Sequence, residues 1–136
     1  MISSLISRIS SAFLALGGLL LLFGPDEILP RVVPGFPASA SWLGQLIAAG
    51  WLALAVLNWV SRASLLGGIY GRPVVLANAL FYFIGATTLS RVVSANPQVL
   101  ALWVITVPIM LLAGVYAWLL FRGPIGRDFA RARGEQ

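Results

Sequence analysis

Four long apolar stretches occupy most of this 136-residue chain, at residues 5–23, 42–60, 73–90 and 98–121. Arg8 is the one charged residue inside them. A helix of roughly 20 residues crosses a hydrocarbon layer about 30 Å thick, so each stretch is long enough to span a membrane. The alternating pattern of a membrane-spanning strand is absent. The sequence therefore predicts an all-α integral membrane protein, a four-transmembrane-helix bundle that forms a single membrane domain over residues 1–136.

The balance of residue types argues against an ordinary soluble domain. Hydrophobic residues make up 60% of the chain and charged residues 10%, whereas a soluble domain carries about 25% charged residues. The first stretch also resembles a secretory signal, with Ala38-Ser39-Ala40 as a cleavage site. The segment between that stretch and Ala38 is long, charged and rich in proline, unlike a signal peptide. We therefore expect the first stretch to remain as a membrane helix.

Arginine sets the expected orientation, because cytoplasmic loops beside membrane helices are enriched in basic residues. Four spans place both termini on one side, and that side collects seven of the nine basic residues: Arg8, Arg62, Arg72, Arg122, Arg127, Arg131 and Arg133. Arg31 and Arg91 fall on the other side. We therefore predict both termini in the cytoplasm, an outer loop over 24–41 and a basic cytoplasmic tail over 122–136. The expected location is a bacterial inner membrane.

Two of the four carboxylates, Asp26 and Glu27, follow the first stretch directly. The simplest interpretation is a short, bent amphipathic segment at the outer membrane surface, with the acids in water. The alternative is an outer interface cluster in which Asp26, Glu27, Arg31 and Arg91 pair with one another or bind a cation.

Polar residues inside the apolar stretches are few. Gln45, Asn78 and Tyr82 are the candidates for a small polar pocket between helices, and hydrogen bonding that only joins the helices is the alternative. Asn78, Tyr82 and Gly85 share one helical face, which we expect to point at the second stretch. The chain has no cysteine and no histidine, so we expect no metal site, no catalytic residues and no cofactor of the thiolate- or histidine-bound kinds.

Small residues recur on helical faces, where they allow close approach of helices in lipid. We expect one such face on each of the first two stretches to pack within the bundle. On the first stretch this face consists of Ser7, Ser11, Ala15 and Gly18, and on the second it consists of Gly44 and Ala48. A second small surface at Ala49, Gly50 and Ala53 could serve a homo-oligomer or a larger membrane complex.

The layout resembles the small four-helix bacterial membrane proteins of the DoxX-like kind. The resemblance covers roughly residues 8 to 91 and is carried by "GGLLLLFGPDEILP", "WLGQLIAAGWLALAVLNWVSR" and "GRPVVLANALFYFIG". DoxX itself is associated with thiosulfate and quinone oxidoreduction, and many relatives have no assigned activity. The resemblance implies a four-helix membrane bundle and assigns no site residues.

Three function classes follow. The preferred one is a non-enzymatic membrane component, either an accessory or assembly subunit or a lipid- or quinone-binding protein. The alternative is a small dimeric membrane transporter, although such transporters use a carboxylate within the membrane, and none lies in these stretches. The third is an enzyme acting through Asp26, Glu27 and Arg91. Membrane lipids are the expected partners, with the basic tail against anionic lipid, and nucleic acid is not expected because no aromatic stacking platform accompanies the tail.

Overall fold

A computed structural model describes residues 2–63 and 71–121 of the chain. Five α-helices lie in these residues: α1 (Ile2–Phe23), α2 (Pro25–Val32), α3 (Trp42–Val60), α4 (Arg72–Ala95) and α5 (Leu100–Phe121). Single 3-10 turns, Ala38–Ala40 and Ser61–Ala63, precede and follow α3. The described residues contain no strand. The predicted all-α fold is therefore confirmed.

Four of the helices, α1, α3, α4 and α5, are long and apolar enough to cross a membrane. Their length and hydropathy suggest a multi-pass membrane protein. The predicted basic tail at 122–136 lies outside the described residues.

Several predicted helix bounds shift by a few residues, most of all at the end of the third spanning helix. The third spanning helix was expected to end at residue 90, but α4 continues to Ala95 and carries Arg91 within it. The apolar pair Val92 and Val93 supports the extra turn, and the helix ends only where Asn96-Pro97 interrupts it. The predicted loop over 24–41 contains α2, with Pro25 in its first turn, and the 3-10 turn at Ala38–Ala40.

The long helices associate as two antiparallel pairs, α1 with α3 and α4 with α5. Glycine allows α1 and α3 to approach closely. A Cβ atom built on Gly17 would lie 2.5 Å from the Trp51 ring, and one on Gly18 would lie 2.9 Å from Leu52 Cγ. Gly18 and Ala48 are both buried here, so the small faces expected on these two helices do form the contact between them.

The two pairs meet at a core of apolar and aromatic side chains. Its fully buried members come from all four long helices and include Leu14, Ala55, Val75, Tyr82, Ile109 and Tyr116. Rings in contact run across the bundle from Phe13 through Trp51, Phe81 and Tyr82 to Tyr116. Because every long helix contributes to one core, the described residues form one packed unit.

The two ends of the bundle differ. At one end, here called the α2 end, the short helix α2 packs on α3, where Pro25 and Leu29 crowd Gly44. The other end, here called the Arg62 end, contains the start of α1, the end of α3 with its 3-10 turn, the start of α4 and the end of α5.

Candidate functional site

A buried pair of asparagines joins α3 to α4 near the Arg62 end. Asn58 Nδ2 donates to Asn78 Oδ1 at 2.9 Å, and Asn78 Nδ2 donates to Asn58 Oδ1 at 2.6 Å. The remaining amide hydrogens also have acceptors, since Asn58 donates to Ser10 Oγ at 3.1 Å and Asn78 to the Val74 carbonyl at 2.8 Å. Both side chains are fully buried. The four amide N–H donors are therefore all satisfied, as burial in an apolar environment requires.

The Ser10 hydroxyl extends this network to α1 and to Tyr82. Ser10 Oγ and Tyr82 Oη lie 2.6 Å apart and share one hydrogen bond. Either hydroxyl can be the donor in this bond. Ser11, the next residue, donates to the Ala55 carbonyl at 2.8 Å. The network therefore ties both helix pairs together.

Two further hydroxyls in this region have no hydrogen-bond partner in the described structure, those of Ser7 and Tyr116. Both residues are fully buried. The Tyr116 ring stacks on Tyr82 with centroids 5.5 Å apart, which brings Tyr116 to the edge of the network. The buried polar network, defined as Ser7, Ser10, Asn58, Asn78, Tyr82 and Tyr116, is therefore uncharged and rich in hydroxyl donors.

The predicted pocket residues are only partly brought together. Asn78 and Tyr82 are fully buried within the network, but Gln45 is exposed in the first turn of α3, at the α2 end. The inclusion of Gln45 is corrected: Asn58, from the last turn of α3, is the residue that faces Asn78. Neighbouring antiparallel helices place the end of one beside the start of the next, and this signal favoured Asn58 over Gln45.

Gly85 also differs from expectation. It lies toward α5, where an added Cβ would be 3.3 Å from Ile109 Cγ2. We expected it to face the second spanning helix, α3. Gly85 sits about two turns beyond Asn78, and over that length the face of α4 that meets α3 gives way to the face that meets α5.

The four residues of the predicted outer cluster lie at the same end of the bundle but form no ion pair with one another. Asp26, Glu27, Arg31 and Arg91 are all exposed at the α2 end, and no salt bridge joins them within the described residues. Asp26 Oδ1 instead accepts a hydrogen bond from the Ser41 hydroxyl at the start of α3. The carboxylate thereby ties α2 to α3, which is a structural role at a solvated helix end.

A groove of about 380 Å³ separates α3 from α4 on the outside of the bundle. It is lined by apolar residues, Gly50, Ala53, Leu54, Leu57, Ala77 and Phe81. Three of these directly precede members of the buried polar network in sequence, since Leu57, Ala77 and Phe81 are followed by Asn58, Asn78 and Tyr82. The α3–α4 groove therefore runs along the outer side of the network.

The α3–α4 groove offers an apolar surface to a ligand, and the buried polar network lies beside it. The network contains neutral donors and acceptors, and the part of the chain that the structure describes has no group of three or more metal-ligating side chains. No protein-family model matches the chain, and no significant match was found among the curated proteins or the solved structures searched.

Proposed function

We propose that this chain is a non-enzymatic integral membrane protein that binds the apolar chain of a membrane lipid or quinone in the α3–α4 groove. The groove is the observation that carries the proposal. Its lining is apolar and it opens sideways from the bundle, so in a bilayer it faces the hydrocarbon layer and fits a flexible chain better than a soluble metabolite.

Tryptophan placement supports insertion into a bilayer. Exposed tryptophans lie near both ends of the long helices, Trp42 and Trp103 at the α2 end and Trp59 and Trp118 at the Arg62 end. Trp42 and Trp59 are 17 positions apart on α3, a rise of about 25 Å. Two tryptophan belts at this separation match the two interfaces of a hydrocarbon layer.

The charges support the proposed orientation, with both termini cytoplasmic in a bacterial inner membrane. At the Arg62 end the described residues include three arginines and no carboxylate. At the α2 end two arginines, Arg31 and Arg91, are balanced by Asp26 and Glu27. An excess of arginine marks the cytoplasmic side. Membership among DoxX-like proteins is part of the proposal and rests on the resemblance in sequence layout alone.

An accessory or assembly subunit is the second form of the same proposal. Ala49, Gly50 and Ala53 are exposed on α3, and a surface of small residues suits contact with another membrane helix. The transporter alternative has less support, because the described spanning helices contain no carboxylate. Asp26 and Glu27 lie in α2, and the other two carboxylates of the chain, Asp128 and Glu135, fall outside the described residues.

Native mass spectrometry from a mild detergent tests the groove, with Gly50→Leu as the variant. A Cβ on Gly50 meets no atom within 4 Å, so leucine should fill part of the groove without disturbing the bundle. We expect the parent to retain a lipid or quinone, identified by its mass, and Gly50→Leu to retain severalfold less. Gly114→Leu is the matched control, because Gly114 has equally open surroundings on α5 and does not line the groove.

Equal retention by the parent, Gly50→Leu and Gly114→Leu would reject the groove as the binding site. Retention of a second protein instead of a small molecule would favour the accessory subunit. Proton-driven uptake of a substrate into vesicles would favour the transporter.

A further inference from the structure

A second feature of the surface lies away from the groove, where Arg62 is held against Trp59. The Arg62 guanidinium carbon is 4.2 Å from the centroid of the Trp59 ring, and Arg62 Nη1 donates to the Trp59 carbonyl. Trp59 is 52% exposed. A guanidinium fixed in this way loses little freedom when it binds a ligand, and its remaining donors stay available.

Arg8 stands at the same level on α1. Ser10 is bonded to Asn58 and Ser11 to Ala55, and this antiparallel register brings Arg8 beside the last turn of α3, which contains Trp59. The 3-10 turn that carries Arg62 packs on α1. Arg8 is exposed while Ser7 and Ser10 are buried, so its side chain lies on the outside of the α1–α3 pair.

The positive charge of these arginines is not neutralised by the described part of the chain. No salt bridge involves Arg8 or Arg62 there, and the two described carboxylates, Asp26 and Glu27, lie at the α2 end. Two unpaired guanidinium groups suit a phosphate group, which accepts paired hydrogen bonds from arginine. The neighbouring tryptophan marks the depth at which lipid headgroups lie.

We propose that Arg8, Trp59 and Arg62 form a site for the phosphate headgroup of an anionic phospholipid. The stacked Arg62 presents its free N–H donors to the phosphate oxygens, Arg8 supplies the second charge, and the lipid chains lie along the exposed apolar side of the α1–α3 pair. The inference rests on the proposed membrane insertion and is independent of the α3–α4 groove.

Binding of phosphatidylglycerol to the full chain in neutral detergent micelles, followed by native mass spectrometry, tests the site. We expect phosphatidylglycerol to bind more tightly than phosphatidylcholine. Arg8→Gln and Arg62→Gln should each weaken binding about fivefold, the equivalent of about 1 kcal/mol per arginine near an anionic surface. Arg62→Lys and Trp59→Leu should also weaken binding, because lysine lacks the planar fork and leucine removes the surface on which Arg62 stacks.

Arg91→Gln and Arg72→Gln are the matched controls. The first removes the same charge at the α2 end, and the second removes it at the Arg62 end but from α4. Both should leave binding within about twofold of the parent, a difference of about 0.4 kcal/mol. A loss in Arg72→Gln as large as that in Arg62→Gln would mean diffuse attraction and would overturn the site.

Competition with millimolar inorganic phosphate separates the two sources of a phosphate group. Displacement of the lipid by free phosphate would overturn the assignment to a lipid headgroup. Extraction of membranes with alkaline carbonate separates the two proposals. Release of the protein would reject membrane insertion. Retention of the protein in the membrane, together with normal lipid binding by Arg8→Gln and Arg62→Gln, would reject the headgroup site alone. Arg62→Lys keeps the charge and serves if Arg62→Gln does not fold.

Discussion

At the scale of single residues, Asn58 and Asn78 are the most constrained polar groups in the described bundle. Each amide donates one hydrogen bond to the other, and each donates a second, Asn58 to Ser10 and Asn78 to the Val74 carbonyl. In a membrane such bonds contribute modestly, about 0.6 kcal/mol on average, because a separated helix finds other partners. Removal of one partner costs more than the bond itself, since it leaves a buried amide unsatisfied.

Asn78→Leu should therefore lower the free energy of unfolding by about 1 to 2 kcal/mol. Asn58→Leu should have a similar effect, and the double variant should lose less than the sum, because no amide is left unpaired. Unfolding by SDS in mixed micelles measures all three. Gln45→Leu is the control, because Gln45 is exposed and its loss should change stability by less than about 0.5 kcal/mol. A larger cost for Gln45→Leu than for Asn78→Leu would contradict this account of the network.

At the scale of helices, the α1–α3 pair depends on the absence of side chains at its glycines. The ring of Trp51 occupies the space in which a Cβ of Gly17 would lie. The same ring packs against those of Phe13 and Phe81, with centroids 5.9 Å and 6.2 Å away, so it has little room to move. The close contact of α1 with α3 is therefore coupled to the packing of α4 on the other side of the ring.

Gly17→Ala should destabilise the protein by about 1 to 3 kcal/mol, the usual cost of overpacking a tight contact. Gly114→Ala should stabilise it by up to about 1 kcal/mol, because alanine favours the helix and a Cβ at Gly114 meets no atom within 4 Å. Thermal unfolding in detergent compares the two variants. Equal behaviour of these variants would show that α1 and α3 do not pack as closely as described.

At the scale of the whole molecule, the orientation of the bundle is open to direct test, because the chain has no native cysteine. Ser39 lies at the α2 end and Ser61 at the Arg62 end, so Ser39→Cys and Ser61→Cys place one cysteine at each end of the bundle. With both termini in the cytoplasm, a membrane-impermeant maleimide added to intact spheroplasts should label Ser39→Cys and should label Ser61→Cys only after the membrane is opened. The reverse labelling pattern would reject the proposed orientation.

Sequence patterns predicted the number of long helices, their approximate bounds and the excess of arginine at one end. These properties follow from local chemistry: an apolar stretch of spanning length forms a helix because its backbone groups must bond within the segment, and pairs such as Gly24-Pro25 and Asn96-Pro97 interrupt it. The small residues of α1 and α3 also identified their shared contact.

Which polar residues meet depends on how the helices pack. Helices α3 and α5 are apolar on nearly every side, so hydrophobic periodicity does not show which side faces inward. We expected Gln45 to be the pocket residue on α3. The rotation and register of α3, set by glycine contacts with α1, instead turn Gln45 outward and Asn58 toward Asn78. The α3–α4 groove is likewise a property of helix pairing, because α3 packs mainly on α1 and α4 mainly on α5, which leaves a gap between α3 and α4.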